Sequence, residues 1–207
     1  TRNSIDQINF PRQGSNFLLS LKLSPPYSMF DDIDDYSSLS DQEKYEWVEY
    51  YKWKFKATWF SPFTEKLVLA TRTEFGFLGA YNEQLGISPF ERFYVGGDGL
   101  SGMGYMNDGR ELVALRGYSN NSISPQTGAT IYNKYTAELR YALSLNPTST
   151  MYALAFLEAG NAWEKFDNFN PFGVKRSVGI GIKIMLPMIG MMGLDYGWGL
   201  DEIIGNP

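Results

Sequence analysis

The 207-residue chain is 43% hydrophobic, 16% aromatic and 20% charged with a net charge of −5, so it is neither disordered nor suited to a nucleic-acid backbone, which needs a basic face. It contains no Cys and no His, which excludes disulfides, Cys/His metal centres and His-based catalysis. Its most apolar run, Ile184 to Leu194, is interrupted by Pro187 and falls well short of the roughly 18 residues of a membrane helix; membrane strands, which alternate, leave no such run.

The opening Thr1-Arg2-Asn3-Ser4-Ile5 is polar and strand-like, not a signal peptide. About eight strands are predicted, spanning roughly 2–10, 15–24, 46–60, 66–80, 130–145, 150–164, 175–187 and 190–201. In the second, Phe17, Leu19, Leu21 and Leu23 oppose Ser20 and Lys22; in the third, Tyr51, Trp53, Phe55 and Trp59 alternate with Lys52, Lys54, Lys56 and Thr58. In the fifth, Tyr135, Leu139, Tyr141 and Leu143 oppose Thr136, Glu138, Arg140 and Ser144. The seventh sets Val178, Ile180, Ile182 and Ile184 against Ser177, Gly179, Gly181 and Lys183. The last sets Met192, Leu194, Tyr196, Trp198 and Leu200 against Gly193, Asp195, Gly197, Gly199 and Asp201. No segment shows a comparable helical period.

Short turns at Pro11–Gly14, Ser61–Lys66, Asn146–Thr150 and Pro187–Gly190 alternate with long polar loops at 25–45, 81–129 and 165–174. Short connections on one side and long ones on the other predict an all-β fold, an antiparallel transmembrane β-barrel with the long loops outside the cell. The competing architecture is a soluble β-sandwich whose Tyr and Trp faces bind glycans. Several strands exceed the five or six residues usual in sandwiches. Trp47, Trp59, Trp163 and Trp198 gather near strand ends, where a membrane interface places aromatics. Isolated charges and glycines on the polar face suit a crowded lumen.

Gly97-Asp98-Gly99-Leu100-Ser101-Gly102 matches the G-x-G-x-x-G dinucleotide fingerprint literally. That fingerprint needs a strand before it and a helix after it, and Met103-Gly104-Tyr105-Met106-Asn107-Asp108-Gly109 has no helical period. Gly96, Gly97, Gly99 and Gly102 are therefore read sterically, as a loop that re-enters a barrel, turns sharply and passes close to lumen side chains, which favours residues without a Cβ. Asp31-Asp32-Ile33-Asp34-Asp35 lacks the Gly and the bidentate Glu of an EF-hand frame and reads as a solvated acidic loop. No cofactor and no metal is expected.

The 81–129 loop is long enough to imply a function. It carries Arg116 between Leu115 and Gly117-Tyr118, and Glu138 and Glu158 lie on the polar faces of the next two strands. A planar guanidinium can serve two carboxylates, and a carboxylate shielded from water needs a cation. The residues alone leave two readings open: an ion cluster inside a barrel, or a solvated surface arginine.

Five motifs occur in order: Pro89 to Gly97, Leu115-Arg116-Gly117-Tyr118, Phe156 to Trp163, Arg176 to Gly181, and Leu194-Asp195-Tyr196-Gly197. Together they resemble the C-terminal half of the BamA family of outer-membrane barrel-assembly subunits, and the Gly-Gly-Asp-Gly-Leu-Ser-Gly form of the loop is similar to the family's Bacteroidetes branch. The resemblance covers nearly the whole chain. It implies a barrel of about sixteen strands, with residues 1–207 as its C-terminal part and with the POTRA domains and the final strand outside this sequence. It implies that Leu115, Arg116, Gly117 and Tyr118 form a lock at the tip of the sixth extracellular loop, folded into the lumen, and that Glu138 and Glu158 receive Arg116. It also implies a non-enzymatic insertase in the cell outer membrane, whose lateral seam pairs with client strands by β-augmentation. The implied partners are the lipid bilayer and lipopolysaccharide, unfolded outer-membrane proteins and accessory lipoproteins, with no nucleic acid. Related superfamily transporters, TamA-like proteins or two-partner secretion pores, are the alternative, while a passive porin is disfavoured because such a loop would plug it.

Overall fold

A computed structural model of the chain describes every residue except 32, 34, 35, 37, 100–109, 147 and 204–207. Among the described residues the strands are β1 (Arg2–Asn3), β2 (Gly14–Leu23), β3 (Tyr51–Pro62), β4 (Leu67–Gly79), β5 (Phe93–Val95), β6 (Glu111–Val113), β7 (Ile131–Asn146), β8 (Ser149–Trp163), β9 (Lys175–Leu186) and β10 (Gly190–Gly199). Eight of them form one sheet in the order β1-β2-β3-β4-β7-β8-β9-β10. Every neighbouring pair in it is antiparallel, so the chain runs as a meander broken only by the long excursion between β4 and β7. The sheet is open: among the described residues β1 and β10 do not pair with each other. Among the described residues no helix is long and apolar enough to cross a membrane.

The period-two pattern is inside out relative to a soluble sheet. On β7, Leu139, Tyr141, Leu143 and Leu145 are exposed, whereas Thr136, Glu138, Arg140 and Ala142, which alternate with them, are buried. On β10 the apolar Leu194, Tyr196 and Trp198 are exposed, Leu194 at 76%. Water would penalise such an outer wall, and hydrocarbon does not, which is the physical signature of a lipid-facing strand. The concave inner face holds two apolar clusters. One comprises Leu78, Phe93, Val95, Val113, Leu115, Ala129, Tyr132 and Ala162; the other comprises Phe10, Val68, Ala142, Tyr152, Leu154 and Phe156.

Three departures from the sequence reading have identifiable physical causes. The first strand, expected over 2–10, is regular only at Arg2–Asn3. Ser4 and Asp6 still donate their backbone N–H groups to the Ser15 and Gln13 carbonyls, and further on Phe10 turns inward onto Tyr152, with ring centroids 5.3 Å apart. The third strand begins at Tyr51, not 46, where the strands on either side of it end, at Leu23 and Gly79. The 81–129 loop contains strands: β5 and β6 pair in parallel, Phe93 with Glu111 and Val95 with Val113. Three-residue strands are too short to leave a readable period.

Candidate functional site

The β5–β6 ribbon lies over the inner face of the sheet because its apolar side chains are what cover the first cluster. Phe93 and Val95 are fully buried there, and Phe93 packs against Tyr132 with centroids 4.7 Å apart. Leu115 follows β6, is fully buried in the same cluster, and bridges back to Gly97. The next residue is thereby delivered to the polar centre of the concave face.

Arg116 is the hub of that centre. Its Nη2 lies 2.8 Å from Glu138 Oε1 on β7 and 2.8 Å from Glu158 Oε1 on β8, and its Nη1 lies 2.9 Å from Asp195 Oδ2 on β10. Its backbone N–H donates to Glu158 Oε2 at 2.9 Å, so Glu158 grips both the side chain and the main chain. The guanidinium carbon stands 3.6 Å from the ring centroid of Phe156, a cation–π contact inside a desolvated site. Each carboxylate also has a second cation: Arg140 at 2.5 Å from Glu138, Lys134 at 3.0 Å from Glu158, and Lys183 at 2.8 Å from Asp195. Buried charges persist when paired and hydrogen-bonded on all sides, as here. Burial opposes the charge on Arg116, but the hydrogen bond and charge of Glu158, the charge of Glu138 and the hydrogen bond of Asp195 outweigh it and raise the pKa above the ordinary arginine value.

The residues after Arg116 are seated by missing side chains. Gly117 has φ 91°, in the left-handed region, and a Cβ there would stand 2.7 Å from the Trp198 carbonyl carbon and 2.9 Å from the Gly199 nitrogen. From the other side, a Cβ on Gly197 would stand 2.9 Å from the Gly117 nitrogen. Loop and strand therefore meet backbone to backbone. Gly179 on β9 leaves the space into which the Phe156 ring is pressed beneath Arg116. Tyr118 closes the seat: its hydroxyl donates to the Arg176 carbonyl at 2.5 Å and accepts the Asp201 N–H at 3.3 Å. Asp201, just past β10, is held by Arg176 at 2.8 Å, and that hydrogen bond draws its carboxyl down to about 2.

The structure thus brings Leu115, Arg116, Gly117, Tyr118, Glu138 and Glu158 together. Gly96, Gly97 and Gly99 have φ of 129°, 73° and 74°, and a Cβ on Gly96 would stand 2.6 Å from the Ser119 carbonyl oxygen. Their close approach is to the loop's own returning leg, not to the wall of the sheet. Gly102 lies outside the described residues, as do Asp32, Asp34 and Asp35 of the acidic stretch; Asp31 accepts a hydrogen bond from Tyr36 at 2.5 Å. Among the described residues no group of three His, Cys, Asp or Glu is placed to hold a metal ion.

Sequence reasoning missed Asp195, Phe156 and the glycines opposite Gly117. A signal existed, since Asp195, Gly197 and Gly199 share the polar face of the last strand. What pointed them at Arg116 is the register Asp195 to Gly181 and Gly197 to Gly179, which pairing alone supplies.

A family profile described as the Omp85 superfamily domain matches residues 1–206. Among solved structures, BamA from Haemophilus ducreyi lacking POTRA domains 1–3 superposes with a TM-score of 0.66 at 20% identity, over 98% of this chain and 38% of that one. The chain therefore spans well under half the length of that protein. No curated protein matches the sequence at a significant level.

Proposed function

The chain belongs to the Omp85 superfamily, and on that premise we propose that it is the C-terminal part of the barrel of a BamA-like subunit that folds and inserts β-barrel proteins into the outer membrane. The protein is a non-enzymatic insertase of a Bacteroidetes-type assembly machinery. Its partners are the bilayer with its lipopolysaccharide, unfolded barrel clients and accessory lipoproteins. Client strands enter by pairing with a strand edge at a lateral seam, so main-chain hydrogen bonds supply affinity and little side-chain sequence is read.

One observation supports this reading most: Arg116 is tied at once to β7, β8 and β10. An inserting barrel must open along one seam while the rest of its wall keeps its shape. A fixed polar hub joining three strands on the lumenal side supplies that rigidity without strengthening the seam itself. Asp195, Gly197 and Gly199 bring the hub onto the strand that, among the described residues, pairs only with β9.

The test is reconstitution of the full-length protein, with its accessory subunits, into liposomes, followed by measurement of the folding of an unfolded barrel client. The reading expects client folding well above that of empty liposomes, reduced by Arg116→Ala. Export of a soluble client across the bilayer, with no barrel folding, would instead assign the chain to a transporter branch of the superfamily.

A further inference from the structure

The polar face of β3 carries Lys52, Lys54 and Lys56 at alternate positions, and the Arg116 hub uses none of them. The Lys52 side chain has no exposed surface. Its Nζ lies 2.9 Å from Glu91 Oε2 and 2.8 Å from Glu111 Oε2, and donates to the Glu91 carbonyl oxygen at 2.7 Å. It also stands 4.6 Å from the centroid of the Phe93 ring. Glu91 lies two residues before β5 and Glu111 is the first residue of β6, so one ammonium holds both legs of the loop. Flanking lysines reinforce each leg: Lys22 lies 3.3 Å from Glu91 and Lys54 lies 2.9 Å from Glu111. Glu91 adopts φ 63°, a left-handed conformation that a glutamate occupies only under constraint, and Lys52 binds that residue through both its carbonyl and its carboxylate.

We infer that Lys52 is a positioning residue for the lumenal loop, fastening both of its legs to β3. The loop is then suspended between two points, with Lys52 on β3 at one side and Arg116 on β7, β8 and β10 at the other. It spans the inner face as a strut, so movement of the β2–β4 wall relative to the β7–β10 wall strains both fastenings. The inference rests on the reading of residues 81–129 as a loop folded into the lumen of a membrane barrel.

The test is amide hydrogen exchange on the full-length protein in its membrane, comparing wild type with Lys52→Met, Lys52→Arg, Glu91→Gln/Glu111→Gln and Arg116→Ala. Opening of a local unit raises exchange there without raising it in the strands that stay folded. Lys52→Met is expected to accelerate exchange of residues 93–96 and 111–113 by about tenfold or more, with β7 and β8 at the wild-type rate and Lys52→Arg restoring most of the protection. The double glutamine variant, which keeps Lys52, is expected to accelerate the same residues, and it provides the reading if Lys52→Met does not assemble. Wild-type exchange at 93–96 and 111–113 in the Lys52 and glutamine variants overturns the inference, as does equal acceleration throughout the barrel. Arg116→Ala separates the two layers: if it also leaves residues 114–119 at the wild-type rate, the lumenal-loop reading itself fails.

Discussion

The two fastenings of the loop do the same work with different chemistry. At Arg116 a planar guanidinium meets carboxylates from three strands, each in its own direction, with an aromatic ring beneath. At Lys52 a compact ammonium meets two carboxylates that both come from the loop. The arginine therefore ties strands to one another through the loop, whereas the lysine ties the loop to one strand. A forked cation suits the first task because its donors are fixed in a plane; a point charge suffices for the second. The glycines follow the same division, with Gly117, Gly197 and Gly199 crowding the arginine side, where backbone meets backbone.

The largest break in this contrast comes from Arg116→Ala, which leaves Glu138, Glu158 and Asp195 without their shared cation. Removing one partner of a buried ion cluster costs about 3–5 kcal/mol, and the expected outcome is a clear fall in the temperature at which the folded barrel is lost on heating in detergent. Arg116→Lys sharpens the comparison, because it keeps the charge but not the fork; it should lie between wild type and the alanine variant in the same measurement. Next in size is Gly197→Val, which places side-chain carbons where the Gly117 nitrogen already stands. Overpacking of this kind costs about 1–3 kcal/mol, and it should release the loop tip to protease while leaving the strands intact.

A pH titration addresses the lysine side. Burial raises the pKa values of Glu91 and Glu111, but Lys52, helped by Lys22 at the first and Lys54 at the second, more than offsets it and lowers both below the ordinary glutamate value of 4.5. A depressed folded-state pKa contributes stability that is fully present above the unfolded value and is lost as pH falls through the folded one. Exchange protection of β5 and β6 should therefore hold from neutral pH down to about 4.5 and decay below it. The smallest effect is expected on the outer wall: Leu139→Ala, at an exposed position, should change heat stability in detergent by no more than about 0.5 kcal/mol.

Much of the sheet was legible because its cause is local. Alternation of Leu139, Tyr141 and Leu143 with Glu138, Arg140 and Ser144 sets both the strand and its two faces. The loop was not legible in that way. The β5–β6 ribbon exists because Phe93, Val95 and Val113 cover Leu78 and Tyr132, contacts between residues far apart in sequence. Phe10 fails to extend the first strand for the same reason, being drawn to Tyr152. At the site, residue type and strand position named Glu138 and Glu158 as candidate partners of Arg116 but left a solvated surface arginine equally open, and only the family resemblance favoured the pairing that the structure shows. Asp195 was not named, since only the register of β9 and β10 aims it at the guanidinium. Gly96, Gly97 and Gly99 were read as making room for lumen side chains, but the crowding they relieve is against Ser119, Asn120 and Ala114 of the same loop.

A barrel held by this hub requires Arg116 and Glu158 to act as one unit inside it. A double-mutant cycle of Arg116→Ala and Glu158→Ala, read as heat stability of the folded barrel, tests this directly. The expected result is that each single variant is strongly destabilised and the double variant is little worse than the weaker single one. Full additivity, or wild-type stability in both single variants, would contradict it.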